Sequence, residues 1–408
     1  MKKTKNSRLL LEEEKLYRRV HENGKKVLEE VGVRITHPET IKILEGTGMA
    51  GYDKSCGRII IESDYTQHCI DLAPKTFAGD PGYNSFGIGG IPPFYKRETG
   101  YPSPASFKEF KNSIDKIAKN LDIIKLVSPP VKINKGDDFR YVQVMDDLPC
   151  LKLACSIQMK AKETKHFVGR NDWIDSFCLI QSPLYVPNKS AEKFLISARL
   201  GNNLAATTMS MAGWSAPYTP EGLMTIAHAE SLFALVIAQT VNPGIVCLHG
   251  GMPLNMNGYN LAYGSYGQSL INAAMARLNM WVTKLPSIQS GASTDQEDLC
   301  KKALDDGRTG RKLLRNYGFH IMRHAFGNLD NLNYFSLEKM LKEVKQERAD
   351  AKKFKKKKTQ PLYIPKDNQA LKLIEMVERE KNSDYWTSDH TRKNIDCWNE
   401  WERKLRKK

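Results

Sequence analysis

The chain has 408 residues, 41% of them hydrophobic and 26% charged, with a formal net charge of +16. That length suits one large barrel with additions or two to three ordinary domains, and the apolar share is enough for a sizeable core. The longest apolar run falls far short of the ~18 residues that would suggest a membrane span.

The charge is uneven. From Lys342 to Lys408 there are 20 Lys and Arg against 12 Asp and Glu, so half of the excess lies in the last sixth of the chain. "KKFKKKK", residues 352–358, is the densest patch and reads as a solvated, mobile linker. Nucleic acid and anionic membrane are the other partners such a patch can serve; neither is expected here. The cysteines, Cys56, Cys69, Cys150, Cys155, Cys178, Cys247, Cys300 and Cys397, form no CxxC or zinc spacing. Cys155, Cys178 and Cys247 sit in apolar runs, where a free thiol behaves as a small hydrophobe. A reducing, cytoplasmic protein without disulfides is the expectation. The basic start "MKKTKNSRLLLEEEK" has no long apolar stretch and does not read as a signal peptide.

In chain order, Leu16, Val20, Val27, Leu28 and Val31 share helical spacing, which predicts a helix over 8–31 stopped by Gly32. A second helix is expected near 38–46. "RIIIESDYTQHCIDLAPKT" predicts a short strand and a helix ended by Pro74. From Phe86 a rhythm sets in: "FGIGGIPP", "DIIKLVSPP", "LKLACSI", "FCLIQSPLYVP", "LAATTMSMAG", "GIVCLHGG", "WVTKLPSIQSG" and "GFHIMRHAFG" alternate with helical patterns. The helices are predicted near 104–120, 136–147, 158–168, 189–201, 219–240, 265–280, 296–316 and 336–348. Eight strand–helix units point to an α/β fold, a (β/α)8 TIM-type barrel. It carries a helical N-terminal extension and a basic helical C-terminal tail. The expected division is 1–82, 83–348 and 349–408. A doubly wound open sheet is the rival, but "FGIGGIPPF" is not GxGxxG opening a helix.

Chemistry in a barrel lies at the C-terminal ends of the strands. There the expected mouth is rich in aromatic faces: Phe94, Tyr95, Tyr185, Trp214 and Tyr218, with Tyr259, Tyr263 and Tyr266 in the loop after "CLHGG". Aromatic walls hold quaternary ammonium groups by cation–π attraction. His249 ends the sixth strand. Alternation in the eighth places His320, Met322 and His324 on one face, with His320 low and structural and His324 at the rim. His320 and His324 would lie about 13 Å apart on a strand, too far for one metal ion. Met209 and Met211 read as filler of the barrel layers. No P-loop, HExxH, GxSxG or paired carboxylates appear, and no protein-bound metal is expected.

Several ordered stretches resemble the trimethylamine methyltransferase family. They are "FGIGGIPPFYKRETGYPSPASFKEFKNSIDKIAKNLDIIKLVSPPV", "APYTPEGLMTIAHAESLFALVIAQTVNPGIVCLHGG" and "HAFGNLDNLNYFSLEKMLKE", with "EVGVRITHPE" before them and "SDHTRKNI" after. The resemblance covers about 20–350 and that last fragment. It implies a barrel that moves a methyl group from a methylated amine to the Co(I) of a corrinoid (cobalamin) carried by a separate corrinoid protein. The trimethylamine enzymes carry pyrrolysine after the seventh strand. Here that loop reads "SGASTDQED" with Ser293 as the nearest match, so the resemblance is to the non-pyrrolysine branch that demethylates quaternary amines such as glycine betaine. Two departures stand out: "EDLCKK" replaces a Lys-x-Pro-Asp-x-Gln stretch, and Gln268 stands where the family has a glutamate. The implied roles are His324 and Asp295 as catalytic residues. Tyr95, Tyr185, Trp214, Tyr218, His249, Tyr263 and Ser293 would bind substrate. Glu230 matches a family glutamate and reads as a buried helix bond. The alternative is a catalytically inert barrel serving as a binding or adaptor subunit. A homo-oligomer is possible in either case.

Overall fold

The computed structural model describes residues 5–406 apart from 133–137, 155–158, 161, 178, 258–259, 355–360 and 381–383. Most of the "KKFKKKK" patch, Cys155, Cys178 and Tyr259 therefore lie outside the described residues. Eight parallel strands form one sheet: Ser85–Ile88, Ile124–Val127, Leu151–Ala154, Trp173–Phe177, Leu204–Thr208, Cys247–Gly251, Ile288–Ser290 and Ile321–Arg323. The eighth pairs with the first. A parallel bridge between His249 and Ser287 closes the ring between the sixth and seventh strands. The fold is a TIM-type barrel with helical N- and C-terminal parts.

Alternation along the strands builds its interior. Leu126, Leu151, Leu153, Ile174, Ala205, Leu248, Ile288 and Ile321 form one buried cluster, separate from the layer between strands and helices. Each is β-branched, leucine or alanine, as barrel layers require. Two residues further along, the inward positions change character: Ser176, Thr207, Gly250, Ser290 and Arg323. Among the described residues the lumen is thus apolar below and small, polar and singly cationic above.

Helices flank the strands near the expected places: Phe107–Ala118, Asp138–Met145, Asn188–Arg199, Pro220–Val241, Tyr266–Leu278, Lys301–Tyr317 and Leu337–Lys353. Ser106, Thr219, Ser265 and Ser336 cap four of them, each side chain accepting from a first-turn N–H. Two expectations need correction. The fourth strand begins at Trp173, not within "FCLIQSPLYVP". Its Asp175 interrupts the apolar pattern because it faces the helix layer, where Ser197 Oγ donates to it at 2.5 Å. No α-helix spans 158–168 among the described residues; the segment holds a short 3-10 turn, Thr164–Phe167.

Pro220–Val241 is long and apolar enough to cross a membrane, but 89% of its apolar window is buried inside the fold. The N-terminal helix Lys5–Lys26 packs along it. Arg19 forks onto Glu221 with Nε and Nη2 at 2.6 and 2.5 Å. The chain after residue 360 returns over the same region. Leu362 N–H donates to Glu13, and Arg58 pairs with Glu378 at 2.7 Å. Two short helices, Asp389–Asn394 and Cys397–Arg406, complete this segment.

Candidate functional site at the barrel mouth

His324 does not follow the alternation that predicts it beside His320 and Met322. Its φ is +64°, a left-handed backbone that a β-strand residue does not adopt. The turn carries its imidazole back over the lumen, where Nδ1 lies 2.8 Å from Ser290 Oγ. Ser290 is an inward residue of the seventh strand. Nε2 has no partner among the described residues and lies against Gly90, where an added Cβ would come within 2.7 Å of it. Burial, and the neighbouring Arg323 charge, hold the ring well below the ordinary histidine range. It is therefore a neutral imidazole with one nitrogen committed and one available.

The strained position is held from behind. Arg311 Nη1 donates to Ala325 O at 2.8 Å, and Gly327 N–H donates to Glu343 at 2.7 Å. Glu343 also takes Lys339 Nζ at 2.6 Å. Arg311, Lys339 and Glu343 are all fully buried, so these charges fix the backbone on either side of Phe326. Ser293 Oγ approaches His324 O at 3.4 Å. Of the expected site residues, the structure brings His324 and Ser293 together here.

Arg323 was not among the expected site residues, yet it is the inward residue next to His324. Ile321 belongs to the inner cluster and Arg323 is two positions on, at 8% exposure. The readable signal was the other parity of the same strand: Ile321 and Arg323 rather than His320 and Met322. His320 points away from the lumen, as a structural residue. Its Nε2 meets Asp80 at 2.7 Å and its Nδ1 accepts from Ser287 N–H at 3.1 Å.

Three other expected residues gather in a groove beside the mouth. Tyr218, Tyr263 and Asp295 line a cavity of about 1210 Å³ with Tyr266, Trp386 and Trp398. Tyr263 Oη lies 2.7 Å from the sulfur of Met209, the residue just past the fifth strand, so the groove adjoins the mouth. Burial acts to raise the Asp295 carboxyl, but the Gln296 amide at 2.6 Å and Lys302 at 3.0 Å hold it below the usual range.

The remaining four lie elsewhere. Tyr95 is buried, with its ring against Phe335 at 6.0 Å and the Arg97 guanidinium 5.6 Å away. Tyr185 belongs to a strand that pairs with Arg34 and Ile35 of the N-terminal region, under the Arg34 guanidinium at 4.8 Å. Trp214 is 51% exposed on the loop after the fifth strand. His249 points outward, because its neighbour Leu248 takes the inward position.

His249 instead begins a chain of buried imidazoles. Asn279 Nδ2 donates to Met275 O, which fixes that atom as nitrogen, and it lies 3.2 Å from His249 Nδ1. His249 Nδ1 must then accept, so its proton is on Nε2, 2.8 Å from His228 Nδ1. The same logic passes through His228 Nε2 to His21 Nδ1 at 2.9 Å, and from His21 Nε2 to Gln67 Oε1 at 3.2 Å. Each neutral ring donates once and accepts once. Burial depresses all three, His249 to about 3.

Glu230 is fully buried in the helix Pro220–Val241. Its Oε1 accepts from Ser182 Oγ at 2.5 Å and Leu184 N–H at 3.0 Å, and Oε2 accepts from Ser210 Oγ at 2.9 Å. One carboxyl thus ties the loops after the fourth and fifth strands, and burial raises it to about 7. Gln268 Oε1 accepts from Gly264 N–H at 2.7 Å and supports the groove loop. Among the described residues no three His, Cys, Asp or Glu side chains are grouped to hold a metal ion.

Comparison with known proteins adds to this geometry. A family model described as "Trimethylamine methyltransferase (MTTB)" matches residues 155–401. The glycine betaine methyltransferase of Desulfitobacterium hafniense (strain Y51) is 22% identical over 353 residues, 79% of this chain and 73% of that protein. Trimethylamine methyltransferase MttB of Methanosarcina thermophila is 30% identical over 116 residues, 28% of this chain and 24% of that protein. The crystal structure of the monomethylamine methyltransferase MtmB of Methanosarcina barkeri matches with a TM-score of 0.51 at 13% identity, over 95% of this chain and 87% of that one, which shows a shared fold.

Proposed function

The chain belongs to the trimethylamine methyltransferase family, and from that premise we propose that it takes a methyl group from a quaternary or tertiary methylated amine bearing a carboxylate. The acceptor is the Co(I) of a corrinoid carried by a partner corrinoid protein; the cobalt is a substrate, not a resident ion. The observation that carries the substrate class is Arg323, a fixed cation at the top of a lumen whose other inward positions are small or polar. A carboxylate is the group a buried guanidinium pairs with best. His324, neutral and with Nε2 available, donates to or accepts from the same ligand beside it.

In this reading Arg323 anchors one end of the substrate, and the ammonium end faces the mouth. The C–N bond breaks, nitrogen keeps the electron pair and leaves as a neutral amine, and the Co(I) electron pair forms the new bond to carbon. No proton moves when the donor is quaternary. The protein therefore needs orientation rather than a strong base, and the corrinoid supplies the nucleophile. Cytoplasmic location and assembly with copies of itself belong to the same proposal. Nothing in the site favours the inert-adaptor alternative.

The test is a panel of methylated amines offered to the protein with Co(I) cobalamin, read by the cobalt absorbance. Methylated ammonium carboxylates should react, and amines without a carboxylate should react more slowly. Equal rates for both classes would remove Arg323 from the account.

A further inference from the structure

The groove beside the mouth has a composition of its own. Among the described residues five aromatic side chains line it: Tyr218, Tyr263 and Tyr266 from the barrel loops, and Trp386 and Trp398 from the C-terminal segment. Tyr218 and Trp386 meet edge to face at 5.9 Å, so the two parts of the chain make one wall. The groove already holds one cation against a ring, since the Arg406 guanidinium lies 4.7 Å from the Tyr266 centroid.

Its charge runs against that of the chain. Among the described residues four carboxylates line it, Asp295, Asp306, Asp396 and Glu402, against two cations, Lys302 and Arg406, in a protein of net charge +16. Lys302 bridges Asp295 and Asp306 at 3.0 Å each, and Arg406 takes Glu402 at 3.3 Å. Asp396 carries no ion pair among the described residues. Trp398 lines the same groove at 3% exposure with its Nε1–H unpartnered. Aromatic faces with a spare carboxylate suit a weakly hydrated cation, and an unpartnered N–H suits an oxygen acceptor on the same molecule.

We propose that this groove is a second binding site, for an N-methylated ammonium compound that carries an oxygen acceptor, and that it collects substrate for the mouth. Its role as a collecting site rests on the proposed methyl transfer; its ligand class does not. A cleft of opposite sign to the ligand raises local concentration and association rate. Tyr263, which lines the groove and touches Met209, marks the way from one site to the other.

The test uses choline and its uncharged isostere 3,3-dimethylbutan-1-ol, which share shape and hydroxyl but not charge. Neither has a carboxylate for Arg323. The full chain is labelled at the indole nitrogens, and Trp386 and Trp398 are assigned from single Trp→Phe variants. Choline should shift both indole signals saturably, with an affinity about 10-fold or more above that of the alcohol. Asp396→Asn, which keeps the size of the side chain and removes its charge, should weaken choline several-fold, and Arg323→Gln should leave it unchanged. Equal affinity for the two probes, no saturable shift, or loss of choline in Arg323→Gln but not in Asp396→Asn would overturn the proposal. If choline fails to bind here while methylated amines still react, this inference falls and the methyl-transfer reading stands. If choline binds but no amine reacts, the site stands and that reading falls.

Discussion

His324 Nδ1 and Ser290 Oγ lie 2.8 Å apart, joining the eighth strand to the seventh over the top of the lumen. The contact exists because His324 has a positive φ, and the buried Arg311–Glu343 pair holds the backbone that follows it, on either side of Phe326. His324→Ala should lower methyl transfer strongly and leave the melting temperature within a few degrees. His320→Ala should do the reverse: it takes the imidazole from Asp80, leaves the Ser287 N–H without its partner and should cost about 1–3 kcal/mol. Thermal melts beside rates per folded molecule separate the two. If both variants melt alike and His324→Ala keeps its rate, His324 is structural.

Gly90 faces the free nitrogen of that histidine. A methyl group there would come within 2.7 Å of Nε2, on a residue whose φ is already +144°. Gly90→Ala should therefore displace His324 and reduce methyl transfer roughly 10- to 100-fold. Steady-state kinetics check it, and a rate unchanged from the parent would show that Nε2 has room to move without consequence.

The three imidazoles His21, His228 and His249 are neutral by burial, and each is held below its unfolded value. A group whose folded pKa is depressed costs stability once the unfolded chain can take a proton. Stability should thus be full above ~6.5 and fall as pH drops below it, by up to about 1.4 kcal/mol per pH unit for each ring. Lys25 and Arg18 lower His21 further and Glu22 opposes them, so high salt should blunt part of the effect at that end. Denaturation midpoints from pH 8 to 4.5 measure this. A flat profile would mean that protons enter the chain without cost.

Glu230 makes a contrasting pair of variants. Glu230→Gln keeps an oxygen for Ser182 and Leu184 and should change stability by less than about 1 kcal/mol. Glu230→Ala strands the Leu184 N–H and should cost about 1–3 kcal/mol. The Glu230 carboxyl, raised to about 7, favours the folded state below its unfolded value and loses that contribution as pH rises through 7. Glu230→Gln should remove that part of the pH dependence. Equal losses in both variants would show that the charge, not the hydrogen bonds, matters there.

The barrel was legible because its strands are short apolar runs cut by Gly, Pro and Ser, a pattern that survives without tertiary information. The fourth strand is not legible because its buried Asp175 pairs with Ser197 across the helix layer, which no local pattern reveals. His249 ends a strand that alternates from Leu248, and only the inner cluster tells which parity is inside. Arg323 is hidden in the sequence for the same reason. The groove was half visible: Tyr218, Tyr263 and Asp295 could be placed near the mouth from the loop order. Trp386, Trp398 and Glu402 could not, since they reach those loops from a distant C-terminal stretch of the chain.

Arg323 sets the substrate class, and a comparison of two methyl donors isolates its part. Methyl transfer to Co(I) cobalamin is measured for glycine betaine and for tetramethylammonium, with the parent chain and with Arg323→Gln, each checked for folding by thermal melt. The parent should prefer glycine betaine, and Arg323→Gln should lose most of that preference, with its rate on tetramethylammonium little changed. A folded Arg323→Gln that keeps the parent's preference, or a parent that methylates cobalt from neither compound, would contradict it.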